Sequence, residues 1–110
     1  MPNPPLPALT HLQFLVLGVL RTEPQPGRTV RSALSAYGIR RTGPAFYQLM
    51  ARIEKDRLVD GWYEQITVGD QAVTERHYRI TPEGTRRWKE ARAFYEHVAR
   101  AATKLRWSDA

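Results

Sequence analysis

Apolar positions along the chain change period twice. From Leu9 to Leu20 they fall at Leu9, Leu12, Leu15, Val16, Val19 and Leu20, a spacing that predicts a helix from a Thr10 cap to about Arg21. Phe14 and Leu17 widen the stripe almost all round. A helix apolar on nearly every side must be covered on nearly every side, so part of this one is expected to meet a second chain or the C-terminal helix. Glu23 to Gly27, with Pro24 and Pro26, predicts a loop. Val30, Ala33, Leu34 and Tyr37 then repeat the i, i+3, i+4, i+7 pattern, predicting a second helix from about Arg28 to Tyr37 with Gly38 as its C-terminal cap. After a short turn through Arg40 and Thr42, Pro44 can open a third helix, whose buried stripe is Phe46, Leu49, Met50 and Ile53. Two helices joined by a short turn make a helix-turn-helix.

After Asp60 the period drops to two. Trp62, Tyr63, Ile66 and Val68 form one β-prone run and Val73, Thr74, Tyr78 and Ile80 another, with Gly69, Asp70 and Gln71 between them, which predicts a β-hairpin. Thr81 then caps a last helix with Pro82 in its first turn, extending to about Leu105. The predicted fold class is α+β, mostly α: a three-helix winged helix-turn-helix with a hairpin wing and an appended C-terminal dimerisation helix. Its segments are a Pro-rich lead-in at 1–8, a DNA-binding domain at 9–81, and the last helix with its tail at 82–110.

The third helix carries the chemistry. Opposite its apolar stripe stand Ala45, Tyr47, Gln48, Arg52 and Lys55, and Arg40, Arg41 and Thr42 immediately precede it. An aromatic hydroxyl, an amide and several cations on one exposed face suit double-stranded DNA. Each residue also has a plainer reading: Tyr47 packing on the second helix, Gln48 as a solvated helix residue, Arg52 paired with Asp56 at i+4. Arg40 and Arg41 flank a helix N-terminus, which itself favours anions.

Composition sharpens this reading without establishing it. The 110 residues suit one domain, and the net charge of +6 favours polyanionic partners. Fourteen of the 17 cations are arginine, whose planar fork matches phosphate and guanine edges, although a solvated basic surface gives the same count. Absence of cysteine excludes disulfides, thiolate catalysis and cysteine metal sites. The apolar run from Leu9 to Leu20 is shorter than the roughly 20 residues that span a bilayer, so a cytoplasmic protein with no membrane partner is expected. His11, His77 and His97 fall on different elements with no metal spacing, and no phosphate loop, nucleophile elbow or carboxylate pair occurs. The expectation is a protein without metal or cofactor that is not an enzyme. Its rival is a winged helix using the same face for protein contact or assembly.

In the last helix Trp88, Ala91, Tyr95, Val98, Ala102 and Leu105 are three, four, three, four and three apart, an a/d seam. Under three heptads long, the seam fits either dimerisation or packing on its own domain.

These elements in this order resemble the PadR family of bacterial transcriptional regulators, in its short subgroup with a single C-terminal helix. The resemblance covers about Leu9 to Val98 and rests on F-Y-Q-L-M-A-R-I-E-K-D-R-L-V at 46–59 and R-H-Y-R-I-T-P-E-G at 76–84. It implies a homodimeric repressor with Tyr47 and its outward neighbours in the major groove and the wings, through Arg76, on adjacent backbone. It also implies a dimer made by the last helix through Trp88, Ala91, Tyr95, Val98, Ala102 and Leu105 against the partner's first helix, at Leu12 and Val16. A flat hydrophobic small molecule held between subunits by Trp88, Phe94 and Tyr95 is a further implication, with close packing at Ala91 and Ala102 the alternative. Three departures stand out. Arg57 occupies the position where the family usually has the glycine that ends helix three. Pro44 and Ala45 replace Gly and Thr. The wing has lost much of its positive charge, with Asp70 at its tip, which shifts phosphate binding toward Arg28, Arg31, Arg40 and Arg41.

Overall fold

A computed structural model of the chain describes residues 3–103. Helix α1 spans His11–Leu20, and Thr10 starts it with a capping box: its Oγ1 accepts from the Gln13 N–H at 3.1 Å while Gln13 Oε1 accepts from the Thr10 N–H at 3.0 Å. Helix α2 (Gly27–Ala36) and helix α3 (Gly43–Lys55) follow, the latter capped by Thr42 Oγ1, which accepts from the Ala45 N–H at 3.2 Å. Strands β2 (Val59–Val68) and β3 (Gln71–Ile80) pair in unbroken antiparallel register from Val59↔Ile80 to Val68↔Gln71. Gly69 has φ 63 and leads Asp70 through a two-residue turn, a position where glycine alone avoids strain. Helix α4 runs Pro82–Thr103.

One element departs from the expected loop at 23–27. Gln25–Pro26 forms a short strand, β1, paired with Tyr78 and His77 of β3, so the sheet order is β1-β3-β2. Proline lacks the N–H a central strand must donate, and Pro26 sits on the sheet edge where that loss is tolerated before turning the chain into α2. Between sheet and helices lies one core. Val16, Leu17 and Leu20 from α1, Val30 and Leu34 from α2, Phe46, Met50 and Ile53 from α3, and Leu58, Val59 and Tyr78 from the sheet region are all buried. Burial pushes the Tyr78 phenol up to about 12, against the opposing pull of Arg76.

Helices α2 and α3 end in the same way with different residues. In α2, Gly38 adopts φ 81, its N–H donates to Ser35 O at 2.9 Å and the Ile39 N–H donates to Leu34 O at 3.0 Å. In α3, Arg57 adopts φ 61, its N–H donates to Glu54 O at 2.9 Å and the Leu58 N–H donates to Ile53 O at 3.2 Å. Both are Schellman motifs. The absent glycine at 57 therefore leaves the cap geometry intact and loads an arginine into the left-handed region, which costs a side-chain-bearing residue about 1 kcal/mol or more. Arg57→Gly is expected to stabilise the fold by roughly 0.5 to 1 kcal/mol, after the extra chain entropy of glycine is deducted. A thermal melt should rise by a few degrees, and a fall would show that the left-handed cap is not held in solution.

The expected dimer seam is divided by the fold. Ala91 is fully buried within its own chain, as is Val16, so neither is free to meet a partner. As far as Tyr95, α4 lies on α1 of the same chain, where the Trp88 ring stacks on Phe14 (centroids 5.7 Å apart, planes at 10°) and Tyr95 meets Phe14 edge-on at 5.5 Å. A 22-residue helix is about 33 Å long, more than one 10-residue helix can cover. The molecule is elongated, with a long axis of 64 Å and a radius of gyration of 17.1 Å, against about 13 Å for a compact domain of this length. Tyr95 is 38% exposed, and Leu12, Phe94 and Val98 are half-buried. Leu105 and the Ala102 side chain lie outside the described residues.

Candidate nucleic-acid interface

Helix α3 stands between core and solvent with its two faces separated by 3.6-residue periodicity. Phe46, Met50 and Ile53 face inward, and the outward positions are Tyr47, Gln48, Ala51, Arg52 and Lys55, all exposed. Tyr47 is 46% exposed, and its ring meets that of Phe46 at a steep angle, 5.3 Å between centroids. Ala45 is half-buried beneath the Thr42 cap. Arg40 and Arg41 are exposed ahead of that cap. Arg31 ties down the turn between the helices, its Nη2 donating to Arg41 O at 2.8 Å, so α2 holds the backbone from which the Arg41 side chain extends.

Tyr47 also closes one side of an open groove whose other walls are Gly27, Arg28, Arg31, Ser32 and Ser35. Ser32 and Ser35 were absent from the sequence-derived site. Their signal was available, since Arg28, Ser32 and Ser35 recur at i, i+4 and i+7 on one face of α2. A second cleft brings Arg41 and Arg52 together with Thr10, His11 and Gln13 at the start of α1. Nothing local foretold that neighbourhood, which depends on how α1 crosses α3. The proposed Arg52–Asp56 bridge does not occur among the ion pairs of the described residues.

Arg76 is the clear relocation. Position 76 shares a sheet face with Tyr78, which is core, and its guanidinium turns onto α3, where Nη2 donates to Glu54 Oε1 at 2.6 Å. Tyr63 lies under it at 4.8 Å and Tyr78 at 5.9 Å. Burial works against its charge, and the hydrogen bond and charge of Glu54 more than offset this, holding the pKa above the usual guanidinium value. An arginine pinned between the wing and α3 positions the two elements and does not offer its charge to a partner outside. The alternation of β3 already placed 76 and 78 on one face; what it could not supply was Glu54.

The distal wing completes the electrostatic picture. Between Gln65 and Thr74 Asp70 is the only charged residue, and Val68 and Val73 are exposed. Positive charge is thus concentrated on α2, the α2–α3 turn and α3. Among the described residues no group of acidic, histidine or cysteine side chains could hold a metal ion, and no helix is long and apolar enough to cross a membrane.

Among solved structures, the chain is similar to a PadR family transcriptional regulator from Eggerthella lenta DSM 2243, with 31% identity, a TM-score of 0.61, and coverage of 86% of this chain and 80% of that one. A PadR family transcription regulator from Clostridium difficile R20291 superposes with a TM-score of 0.71 over 87% of this chain and 98% of the other, at 12% identity. Bacillus subtilis PadR in complex with operator DNA matches with a TM-score of 0.57 at 14% identity, over 73% of this chain and 45% of that one. The last two establish likeness of fold alone. No protein-family model and no curated protein matches the chain.

Proposed function

This chain belongs to the PadR family of transcriptional regulators, and from that premise we propose that it binds double-stranded DNA as a homodimer and represses by occupying a roughly palindromic site. The observation that carries the reading is the outward face of α3, with Tyr47, Gln48 and Arg52 exposed above a turn in which Arg31 anchors Arg41. Tyr47 and Gln48 are assigned to base edges in the major groove. Arg31, Arg40, Arg41 and Arg52, with Thr42 and Ala45 at the helix start, are assigned to the flanking backbone. The operator DNA held by the Bacillus subtilis structure supports this assignment by analogy of fold. Two such helices in a dimer read successive major grooves about 34 Å apart or a multiple of it.

The dimer reading is supported by the part-exposed α4 residues Phe94, Tyr95 and Val98 and by the part-covered α1 residues Leu12, Leu15 and Val19. Tyr95→Asp places a charge in that surface and is expected to halve the mass measured by sedimentation equilibrium while circular dichroism stays unchanged. An unaltered dimer mass would remove Tyr95 from the interface. A flat hydrophobic effector would enter beside Trp88, Phe94 and Tyr95 at the same surface, and a dye that quenches Trp emission at micromolar concentration is the corresponding test.

The function itself is tested by fluorescence anisotropy on duplex DNA from upstream of the chain's own gene against a scrambled duplex, at two salt concentrations. Tight, salt-sensitive binding that prefers the native sequence is expected. Weak binding to both duplexes would move the reading to a protein-contact module.

A further inference from the structure

Arg28 opens α2 at the mouth of the groove beside Tyr47, and its side chain is 64% exposed. It is nevertheless occupied. Its Nη1 donates to Glu75 Oε1, reaching across 47 residues of sequence to the wing. The Glu75 side chain is only 15% exposed, and its Oε2 is buried with no hydrogen-bond partner. Directly across the strand pair stands Glu64, whose Oε2 lies 3.2 Å from His77 Nε2. Like charges facing one another destabilise an antiparallel pair, and a carboxylate drawn out of water needs a cation more than an exposed one does. If Arg28 left, Glu75 would be stranded, half-desolvated and opposite Glu64.

We propose that Glu75 masks Arg28 from polyanions, so that a wing carboxylate sets how tightly this chain holds a nucleic-acid backbone. The inference deepens the DNA-binding reading and rests on it. A phosphate approaching the α2 end of the groove competes with a bond that the wing cannot release without loss, and the pair presents no net charge to that phosphate. The wing thus lacks cations along its distal half and also cancels one of α2 from mid-strand. Glu75 is a positioning and affinity-limiting residue, acting through Arg28.

A double-mutant cycle on two matrices tests the mask. Glu75→Gln keeps shape and removes charge. It is expected to tighten duplex binding roughly tenfold at 0.1 M salt, to steepen the salt slope by about one, and to raise the salt needed for elution from immobilised heparin. Arg28→Met alone bares the Glu75 carboxylate and is expected to weaken both readouts up to about tenfold, a loss that adding Glu75→Gln should reverse. In Glu75→Gln/Arg28→Met the gain should vanish. Glu64→Gln controls for long-range charge and should gain less than threefold. A gain that survives in the double variant overturns the mask, as does a double variant that stays tenfold weaker than the unaltered chain, and Glu75→Ala runs the same cycle where Glu75→Gln does not fold. Heparin reads any cation free for a polyanion, so the cycle there decides the mask independently of sequence preference. Indifference between native and scrambled duplex would sink the regulator reading alone.

Discussion

Gly84→Ala should cost the fold about 3 kcal/mol or more, the largest stability effect expected of any one-methyl substitution in this chain. A Cβ at 84 would stand 2.1 Å from Leu58 O, 3.1 Å from Leu58 C and 2.9 Å from Ile80 Cγ1. The nearest of these is main chain, so no rotamer change relieves it. Nor is Leu58 free to move: its carbonyl accepts from the Thr81 N–H at 3.1 Å, and its N–H closes the α3 cap on Ile53 O. Thr81 is committed as well, its Oγ1 donating to Arg57 O at 2.7 Å and accepting from the Gly84 N–H at 2.9 Å. Relief therefore means lifting the start of α4 off the end of α3, breaking several buried hydrogen bonds at once. A domain of this size has a total stability of roughly 5 to 15 kcal/mol, so the melting temperature should fall by ten degrees or more. Gly18→Ala is the control, since its Cβ would meet only a side chain, Trp88 Nε1 at 3.3 Å. A Gly84→Ala melt within two degrees of the unaltered chain would mean that the α3–α4 junction is looser than its hydrogen bonds imply.

Replacing Arg41 and Tyr47 together by alanine should lower affinity for the preferred duplex roughly a hundredfold or more, with little change in stability. A side chain making a good base contact contributes about 1 to 3 kcal/mol of discrimination, and a lost phosphate contact reduces the salt slope by about one. The fold should tolerate both changes for specific reasons. Tyr47 is nearly half exposed, and the Arg41 atom that Arg31 holds is its carbonyl oxygen, which alanine keeps. Loss of affinity with an unchanged melt would put recognition on this face. The two substitutions are separable: Tyr47→Ala alone should erase the preference for native over scrambled duplex, whereas Arg41→Ala alone should weaken both alike. Affinity within threefold of the unaltered chain would remove Arg41 and Tyr47 from recognition.

The exposed face of α3 and the core were legible in the chain because both are properties of single elements. Phe46, Met50 and Ile53 against Tyr47, Gln48 and Arg52 is a period, and a period needs no partner to be read. The Thr10 and Thr42 caps, the Gly38 ending and the Gly69 turn are likewise settled within a few residues, by hydrogen bonds and dihedral preferences that act locally. Arg57 shows where local reading stops. Sequence marks the missing glycine, but whether the chain then abandons the cap or forces an arginine into it depends on Leu58 and Val59 being buried and held.

What the tertiary structure alone decided are the pairings between elements. The periodicity of α4 could not choose between its own α1 and a partner, and only the crossing of the two helices buried Ala91 and stacked Trp88 on Phe14. Composition counted Arg28 and Arg76 as available cations, and only the placement of the wing set Glu75 and Glu54 against them. Gln25–Pro26 reads as loop because two residues carry no period, and became a strand when β3 offered an open edge. Sequence by itself thus determined which helices and strands form and which face of each is apolar, since those follow from interactions spanning a turn or two. Charge on offer, sheet edges and seam partners depend on residues distant in the chain, whose meeting is set by how the elements pack.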